Sequence, residues 1–262
     1  MGGRTPLDPA LVREVDRLAA LVRSSQPVVA LTGAGVSTES GLPDFRSPGT
    51  GLWNYVDPME FASVGALRSR PAEFWRGFAA VFGSGLQAAP NQAHLALARL
   101  EAAGLLDSVI TQNIDGLHTK AGSVRVYEIH GSLRTASCQR CGRMVPLADA
   151  LRQLTDDQSV GGREPKTVPV CSCGGILRPD VVLFEDPMPP AFEQAWRRAA
   201  AAGLILVVGS SLEVYPAASL VGLGRRLAII NLEPTTADRA ADLVIRGPAG
   251  PVLSELARRL GV

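Results

Sequence analysis

The apolar run Val28-Val29-Ala30-Leu31 leads straight into Thr32-Gly33-Ala34-Gly35-Val36-Ser37-Thr38-Glu39-Ser40-Gly41-Leu42-Pro43-Asp44-Phe45-Arg46-Ser47, and no other stretch restricts the fold as strongly. A continuous apolar run is a strand covered on both faces, and a glycine turn behind it is the layout of a nucleotide-binding loop. Gly33 and Gly35 are expected to supply positive φ and close backbone approach. Free N–H groups in such a turn can cradle a pyrophosphate. The G-x-G-x-x-G fingerprint is only partly met, because Thr38 stands in the third glycine's place. Pro43-Asp44-Phe45-Arg46 then puts an acid, an aromatic and a guanidinium side by side just after the loop.

Three more segments repeat this layout. Val109-Ile110 runs into Thr111-Gln112-Asn113-Ile114-Asp115-Gly116-Leu117-His118, Val126–Ile129 into His130-Gly131, and Leu204–Val208 into Gly209-Ser210-Ser211-Leu212. With Val28–Thr32, Leu227–Asn231 and Leu243–Ile245 they give six strand candidates, several of them continuous apolar runs. Helix candidates alternate with them. The first starts at the capping Asp8-Pro9 and carries an apolar stripe at Leu11, Val15, Leu18 and Val22. The others are Asn91–Ala103, Pro190–Ala202, Pro216–Leu223 and Pro251–Leu260. This alternation predicts an α/β fold with a Rossmann-like, doubly wound parallel sheet. Two stretches interrupt it: an aromatic-rich helical insertion and a cysteine-bearing module. The predicted division is 1–47, 88–137 and 178–262 for the Rossmann-like dinucleotide-binding domain, 48–87 for the helical insertion and 138–177 for the cysteine-bearing module.

Cys138-x-x-Cys141-Gly142 has the form of a zinc knuckle, and Cys171-x-Cys173-Gly174-Gly175 supplies a second pair. Four thiolates suit a closed tetrahedral Zn²⁺ with a structural role, because no coordination position is left for water. Four buried thiols that merely cluster are the bland alternative. A redox pair is the third, and it lacks the thioredoxin-like context.

Composition sets limits on partners. The chain has 262 residues, 46% hydrophobic content and a formal charge of +1. Bulk-charge binding to nucleic acid or membrane is not expected. The longest apolar run, Leu204–Val208, is far too short to span a bilayer. Met1–Arg13 lacks the apolar core of a signal peptide, and Pro6 stands where myristoylation needs Ser or Thr. The expected compartment is the cytoplasm, where cysteines serve as metal ligands or free thiols more often than as disulfides.

With the four ordered loops and the cysteine quartet in place, the chain resembles the sirtuin family of NAD-dependent protein deacylases from about Val28 to Leu260. The family usually carries Cys-x-x-Cys as its second pair, so the shorter bite here bears on ligand geometry. The resemblance implies that NAD lies with its pyrophosphate over Gly33, Ala34, Gly35, Ser37 and Thr38. Its nicotinamide would enter near Asp44, Gln112, Ile114 and Asp115. Gly209, Ser210 and Ser211 would meet the adenosine side, and Asn231 and Glu233 the adenine ribose. An acyl-lysine would attack the ribose carbon through its amide oxygen as nicotinamide leaves. His130 would then act as general base on a ribose hydroxyl, giving free lysine and 2′-O-acyl-ADP-ribose. Asn113 would order water and ribose, Phe45 would shield the reacting carbon, and Arg46 would orient ribose or phosphate. His94 and His118 are read as structural.

On the substrate side, Arg178–Phe184 resembles the segment that pairs with the substrate peptide, with Val182 and Phe184 facing Glu213 and Val214 across a slot. The family's Phe-Gly-Glu becomes Phe184-Glu185-Asp186, so a glycine is lost. Phe78 and Val81 stand where acid-removing relatives carry Tyr and Arg. An apolar acyl group is therefore expected, since a buried carboxylate would lack a partner. Protein ADP-ribosylation or NAD hydrolysis shares every motif and is separated only by product. A non-catalytic dinucleotide module would not need Asn113, Asp115 and His130 together. A hydride-transferring dehydrogenase would need the third glycine and an acidic ribose partner after the second strand.

Overall fold

The computed structural model describes residues 8–44, 51, 55, 57–155 and 167–262, so Phe45, Arg46 and most of the loop between Thr155 and Val168 lie outside it. Asp8 caps the first helix, α1 (Pro9–Ser24), its carboxylate accepting from Ala10 N at 2.7 Å. Strand β1 (Val28–Thr32) follows. The insertion contributes α2 (Val64–Ser69) and α3 (Pro71–Phe82). Helix α4 (Gln92–Ala102) returns to β2 (Ser108–Thr111), and a short α5 (Leu117–Lys120) precedes β3 (Val126–Glu128). Next come β4 (Gly131–Cys138), β5 (Met144–Pro146), α6 (Leu147–Thr155) and β6 (Leu177–Val181). The chain then rejoins the main body as α7 (Pro190–Ala201), β7 (Leu204–Val208), β8 (Leu227–Ile230), β9 (Leu243–Ile245) and α8 (Ala249–Leu260).

All six expected strands form, and they pair in parallel in the order β3-β2-β1-β7-β8-β9. Leaving out β4 to β6, this is the dinucleotide-binding order, with its reversal between β1 and β7. Successive residues of β1 serve opposite cores. Val28 and Ala30 pack with Leu18, Leu97 and Leu253 of α1, α4 and α8, while Val29 and Leu31 pack with Ala195 and Ala199 of α7. This double cover is why the strands read as unbroken apolar runs.

Two features depart from the sequence reading. Pro216–Leu223, expected as a helix, is a 3₁₀ turn over Ala217–Gly222. The Ser219 hydroxyl donates to Pro216 O at 2.7 Å and competes for a carbonyl a longer helix would use. The cysteine segment also carries a three-stranded antiparallel sheet, β5-β4-β6, whose strands begin before Cys138 and end beyond Leu177. Its core is shared with the insertion. Phe74, Trp75 and Phe78 of α3 pack with Leu133, Leu147 and Leu177, and Trp75 Nε1–H donates to Leu177 O at 3.2 Å. Insertion and module thus support each other. No helix among the described residues is long and apolar enough to cross a membrane.

Candidate active site

Loops leaving the carboxyl ends of β1 and β7 lock together. Gly33 N–H donates to Val208 O at 3.1 Å and Gly35 N–H to Gly209 O at 2.9 Å. Neither glycine takes a positive φ; Gly33 sits at −127°. What these residues supply is room. A Cβ on Gly33 would lie 2.8 Å from Gly209 O, and one on Gly35 2.9 Å from Gly209 Cα. The expected positive φ and wholly free amides are therefore corrected: the switch point puts β1 beside β7, and two amides are spent joining their loops. Ala34 lines the adjoining cavity, and its N–H has no partner among the described residues. An orphan amide at the carboxyl end of a parallel sheet suits an anionic dinucleotide.

The cavity has a volume of about 660 Å³, within the range of small-molecule sites. Gly33, Ala34, Gly35, Thr38 and Asp44 reach it from the first loop, and Gln112, Asn113 and Ile114 from the loop after β2. Gly209, Ser210 and Ser211 line it after β7, and Asn231 and Glu233 after β8. His130 stands on the same wall system, as do Phe78, Val182, Phe184, Glu213 and Val214.

Among the described residues, three expected ones do not line it. Ser37 lies beneath the surface, donating to Asp115 Oδ2 at 2.7 Å and accepting from Asn113 Nδ2 at 3.1 Å. Asp115 in turn accepts from Leu117 N at 2.8 Å, at the start of α5. Both residues hold Asn113 rather than forming the wall, and Asn113 Nδ2 also donates to Gly33 O at 3.1 Å. Val81 is replaced by Phe82, one turn along α3 from Phe78 on the same face.

The sequence reading missed Glu39, Ala62 and the turn Gly247–Ala249, all of which line the cavity. Glu39 Oε1 accepts from Gly250 N at 2.8 Å, pinning the first loop to the start of α8. Its signal lay inside the glycine motif itself, where only the small and hydroxyl residues were read.

His130 Nδ1 lies 3.0 Å from Gln112 O. A carbonyl only accepts, so Nδ1 carries the proton and Nε2 the lone pair. The other two histidines are buried. His94 completes a capping box with Asn91 at the start of α4. His118 Nε2 is 2.9 Å from Thr32 Oγ1, and its Nδ1 is buried without a hydrogen-bond partner among the described residues. Burial lowers His94 to about 4, against an opposing pull from Asp115. Burial, with His94 adding to it, lowers His118 to about 3. Both rings are neutral near pH 7, which fits structural roles.

The four cysteine sulfurs converge within 4.8 Å of one another. Cys138 and Cys173 are 3.5 Å apart, and Cys141 and Cys171 3.8 Å. A tetrahedral zinc with Zn–S bonds of about 2.3 Å requires sulfurs roughly 3.8 Å apart, so the shorter Cys-x-Cys still closes the site. The Cys141 and Arg140 amides turned to the Cys138 sulfur hold its thiol at about 6, favouring thiolate.

The wall after β6 answers the question of the lost glycine. Glu185 takes φ +77°, the conformation glycine would adopt freely. The backbone shape is kept at a cost of about 1–2 kcal/mol. Phe184 and Tyr215 stand exposed at the cavity mouth. No Lys or Arg is among the described lining residues.

A sequence model of the Sir2 family matches residues 33–216. The chain is 47% identical to NAD-dependent protein deacetylase 2 of Caldanaerobacter subterraneus subsp. tengcongensis, over 92% of this chain and 93% of that one. It is 45% identical to NAD-dependent protein deacetylase 1 of Geobacillus kaustophilus, over 90% and 95%. Among solved structures, a Sir2–p53 peptide–NAD⁺ complex superposes with a TM-score of 0.81 at 37% identity, covering 94% of this chain and 96% of that one. Sir2Tm bound to a propionylated peptide gives 0.79 at 36%, with 94% and 96% covered. Loops, cavity and cysteine cluster thus sit on a framework that both comparisons share, and the chain belongs to the Sir2 family.

Proposed function

We propose that this protein is an NAD-dependent protein-lysine deacylase, acting mainly on acetyl groups and releasing nicotinamide and 2′-O-acyl-ADP-ribose. The observation that carries the reading is the His130 ring, its Nδ1–H held by Gln112 O, at a dinucleotide-type cavity. Bound NAD supplies an electrophilic ribose carbon with nicotinamide as its leaving group. His130 Nε2 accepts the proton of a ribose hydroxyl, the general-base step. Asn113, held by Ser37 and Gly33, orients water and ribose beside it. Phe78, Phe82 and Ala62 offer the acyl group an apolar lining that excludes water. Phe45 and Arg46, just beyond the first loop, are assigned to shielding and orientation of the ribose.

The substrate is an acylated lysine on a protein, taken as an added strand between Val182–Phe184 and Glu213–Tyr215. The absence of Lys and Arg from the described lining supports a neutral acyl group. The cysteine quartet holds one structural Zn²⁺. We place the protein in the cytoplasm, in keeping with four thiols gathered for a metal, and keep the division into NAD-binding domain, helical insertion and zinc module.

The test is incubation with NAD and acetyl-, succinyl- and unmodified-lysine peptides, with products identified by mass spectrometry. Acyl-ADP-ribose formed only with the acetyl peptide supports the reading. ADP-ribose attached to protein, or released without any acyl peptide, would replace it with transfer or hydrolysis.

A further inference from the structure

Two parts of the chain meet at the acyl end of the cavity. The insertion supplies Ala62, Phe78 and Phe82, and the peptide-facing wall supplies Val182 to Glu185. Hydrogen bonds join them, three of them between Ala62–Gly65 and Phe184–Glu185. Phe184 N–H donates to Ala62 O at 2.8 Å, and Val64 N–H donates to Phe184 O at 3.1 Å. Any residues could make these two, since both are backbone bonds. The third belongs to one side chain: Gly65 N–H donates to Glu185 Oε2 at 2.7 Å.

The third bond is set up from both sides. Glu185 reaches it from φ +77°, a conformation that side chains resist. Strain of this kind persists where the surroundings hold it, and it gathers at working sites. A Cβ on Gly65 would lie 3.3 Å from the same carboxylate oxygen, so glycine leaves the room the acid occupies. Gly65 lies in α2, which is followed directly by α3, the helix carrying Phe78 and Phe82.

We propose that Glu185 is a positioning and specificity-determining residue: its carboxylate ties α2 to the peptide-facing wall and so limits how far the acyl pocket opens. The inference rests on the deacylase reading. With the tie in place, Phe78 and Phe82 stay close to the wall and short acyl groups are favoured. Without it, α2 and α3 move outward and longer chains enter.

The test compares wild type with Glu185→Ala, Glu185→Gly and Glu185→Gln. kcat/KM is measured on acetyl-, butyryl- and hexanoyl-lysine peptides, with the KM for NAD. Amide hydrogen exchange across residues 62–70 is followed without peptide. Loss of one hydrogen bond to a charged acceptor is expected to raise the hexanoyl-to-acetyl ratio about three- to tenfold in the Ala and Gly variants. Their α2 amides should exchange faster by a similar factor, with the KM for NAD within about twofold of wild type. Glu185→Gln should stay near wild type, because its amide oxygen still accepts from Gly65.

An unchanged ratio in Glu185→Ala would overturn the proposal, as would Glu185→Gln behaving like Ala. Equal losses on every acyl chain and on NAD would reduce Glu185 to general stability and overturn it too. Wild type inactive on all acyl peptides would sink the deacylase reading instead. The exchange data would then decide the tie alone, with unchanged α2 exchange in Glu185→Ala counting against it.

Discussion

Gln112 O accepts the Nδ1 proton of His130 across 3.0 Å, and this contact fixes which ring nitrogen can act as a base. Gln112 is itself held by β1 and by the loop after β7: its N–H donates to Thr32 O at 3.0 Å and its side-chain amide to Ser210 Oγ at 3.0 Å. From the other side, Val182 N–H donates to His130 O at 2.8 Å. The imidazole is thus set by β1, the β7 loop and the peptide-facing wall together.

Replacing His130 by Ala should remove this base while leaving its supports in place. Product formation should fall about 10²- to 10⁴-fold, the usual worth of a general base. Thermal unfolding should move by no more than a few degrees, since the ring is only partly buried. Single-turnover mass spectrometry beside a melting curve checks both. A variant that still makes acyl-ADP-ribose at the wild-type rate would exclude His130 as the base.

The two buried imidazoles make the fold acid-sensitive. Folded His94 titrates at about 4 and folded His118 at about 3, both below the ordinary 6.5. Between those values the unfolded chain binds more protons than the folded one, so stability falls as pH falls. Their contribution is whole above about pH 6.5 and is lost progressively towards about pH 4 and below, at up to roughly 1.4 kcal/mol per pH unit per ring. Urea unfolding at a series of pH values measures the slope. His118→Asn should flatten it by about one proton, even though losing the Thr32 contact lowers stability at every pH.

Zinc removal should be felt beyond the cysteines. The four sulfurs converge within 4.8 Å, two pairs of them near the spacing a tetrahedral ion needs, and structural zinc is worth about 10–16 kcal/mol in small domains. The purified protein should carry one zinc per chain by elemental analysis, and Cys173→Ser should lose it. Leu147 and Leu177 of the module share a core with Trp75 and Phe78. Chelation should therefore alter tryptophan fluorescence and abolish turnover, although the ion touches no substrate. Full activity in a metal-free protein would exclude this coupling.

Legibility in the sequence followed the range of the forces involved. β1 and β7 could be read because burial on both faces leaves unbroken apolar runs, and α1 because Asp8-Pro9 and a four-three-four stripe are local signals. The second sheet could not be read. β5 spans only Met144–Pro146, and β4 finds β6 only across the cysteine segment, a pairing no local pattern announces. The same distinction divides the site. His130 stands directly behind Ile129, and Asn113 two residues past the end of β2. Glu39 works by reaching Gly250, far along the chain, and Ser37 by reaching Asp115 and Asn113. For Gly33 and Gly35 the need for close backbone approach is local and legible, but the backbone they approach, Gly209, lies far along the chain in the loop after β7.

Gly209 is the position where this nesting can be tested with least ambiguity. Its φ of +61° lies in the left-handed region, and a Cβ there would come within 2.3 Å of Val36 N and 2.5 Å of Gly35 C. Those are backbone atoms, so no side chain can rotate away to relieve the clash. In Gly209→Ala the β7 loop must withdraw from the first loop, breaking the Gly35 N–H to Gly209 O bond. Backbone strain and overpacking together should cost about 2–4 kcal/mol of stability. The cavity wall at Ala34 and Ser210 would shift with it, so affinity for NAD should fall more than affinity for the acyl peptide. Calorimetric titration with each ligand separates the two. If Gly209→Ala bound NAD as tightly as wild type with an unaltered melting temperature, the locked loops would not be what shapes the dinucleotide site.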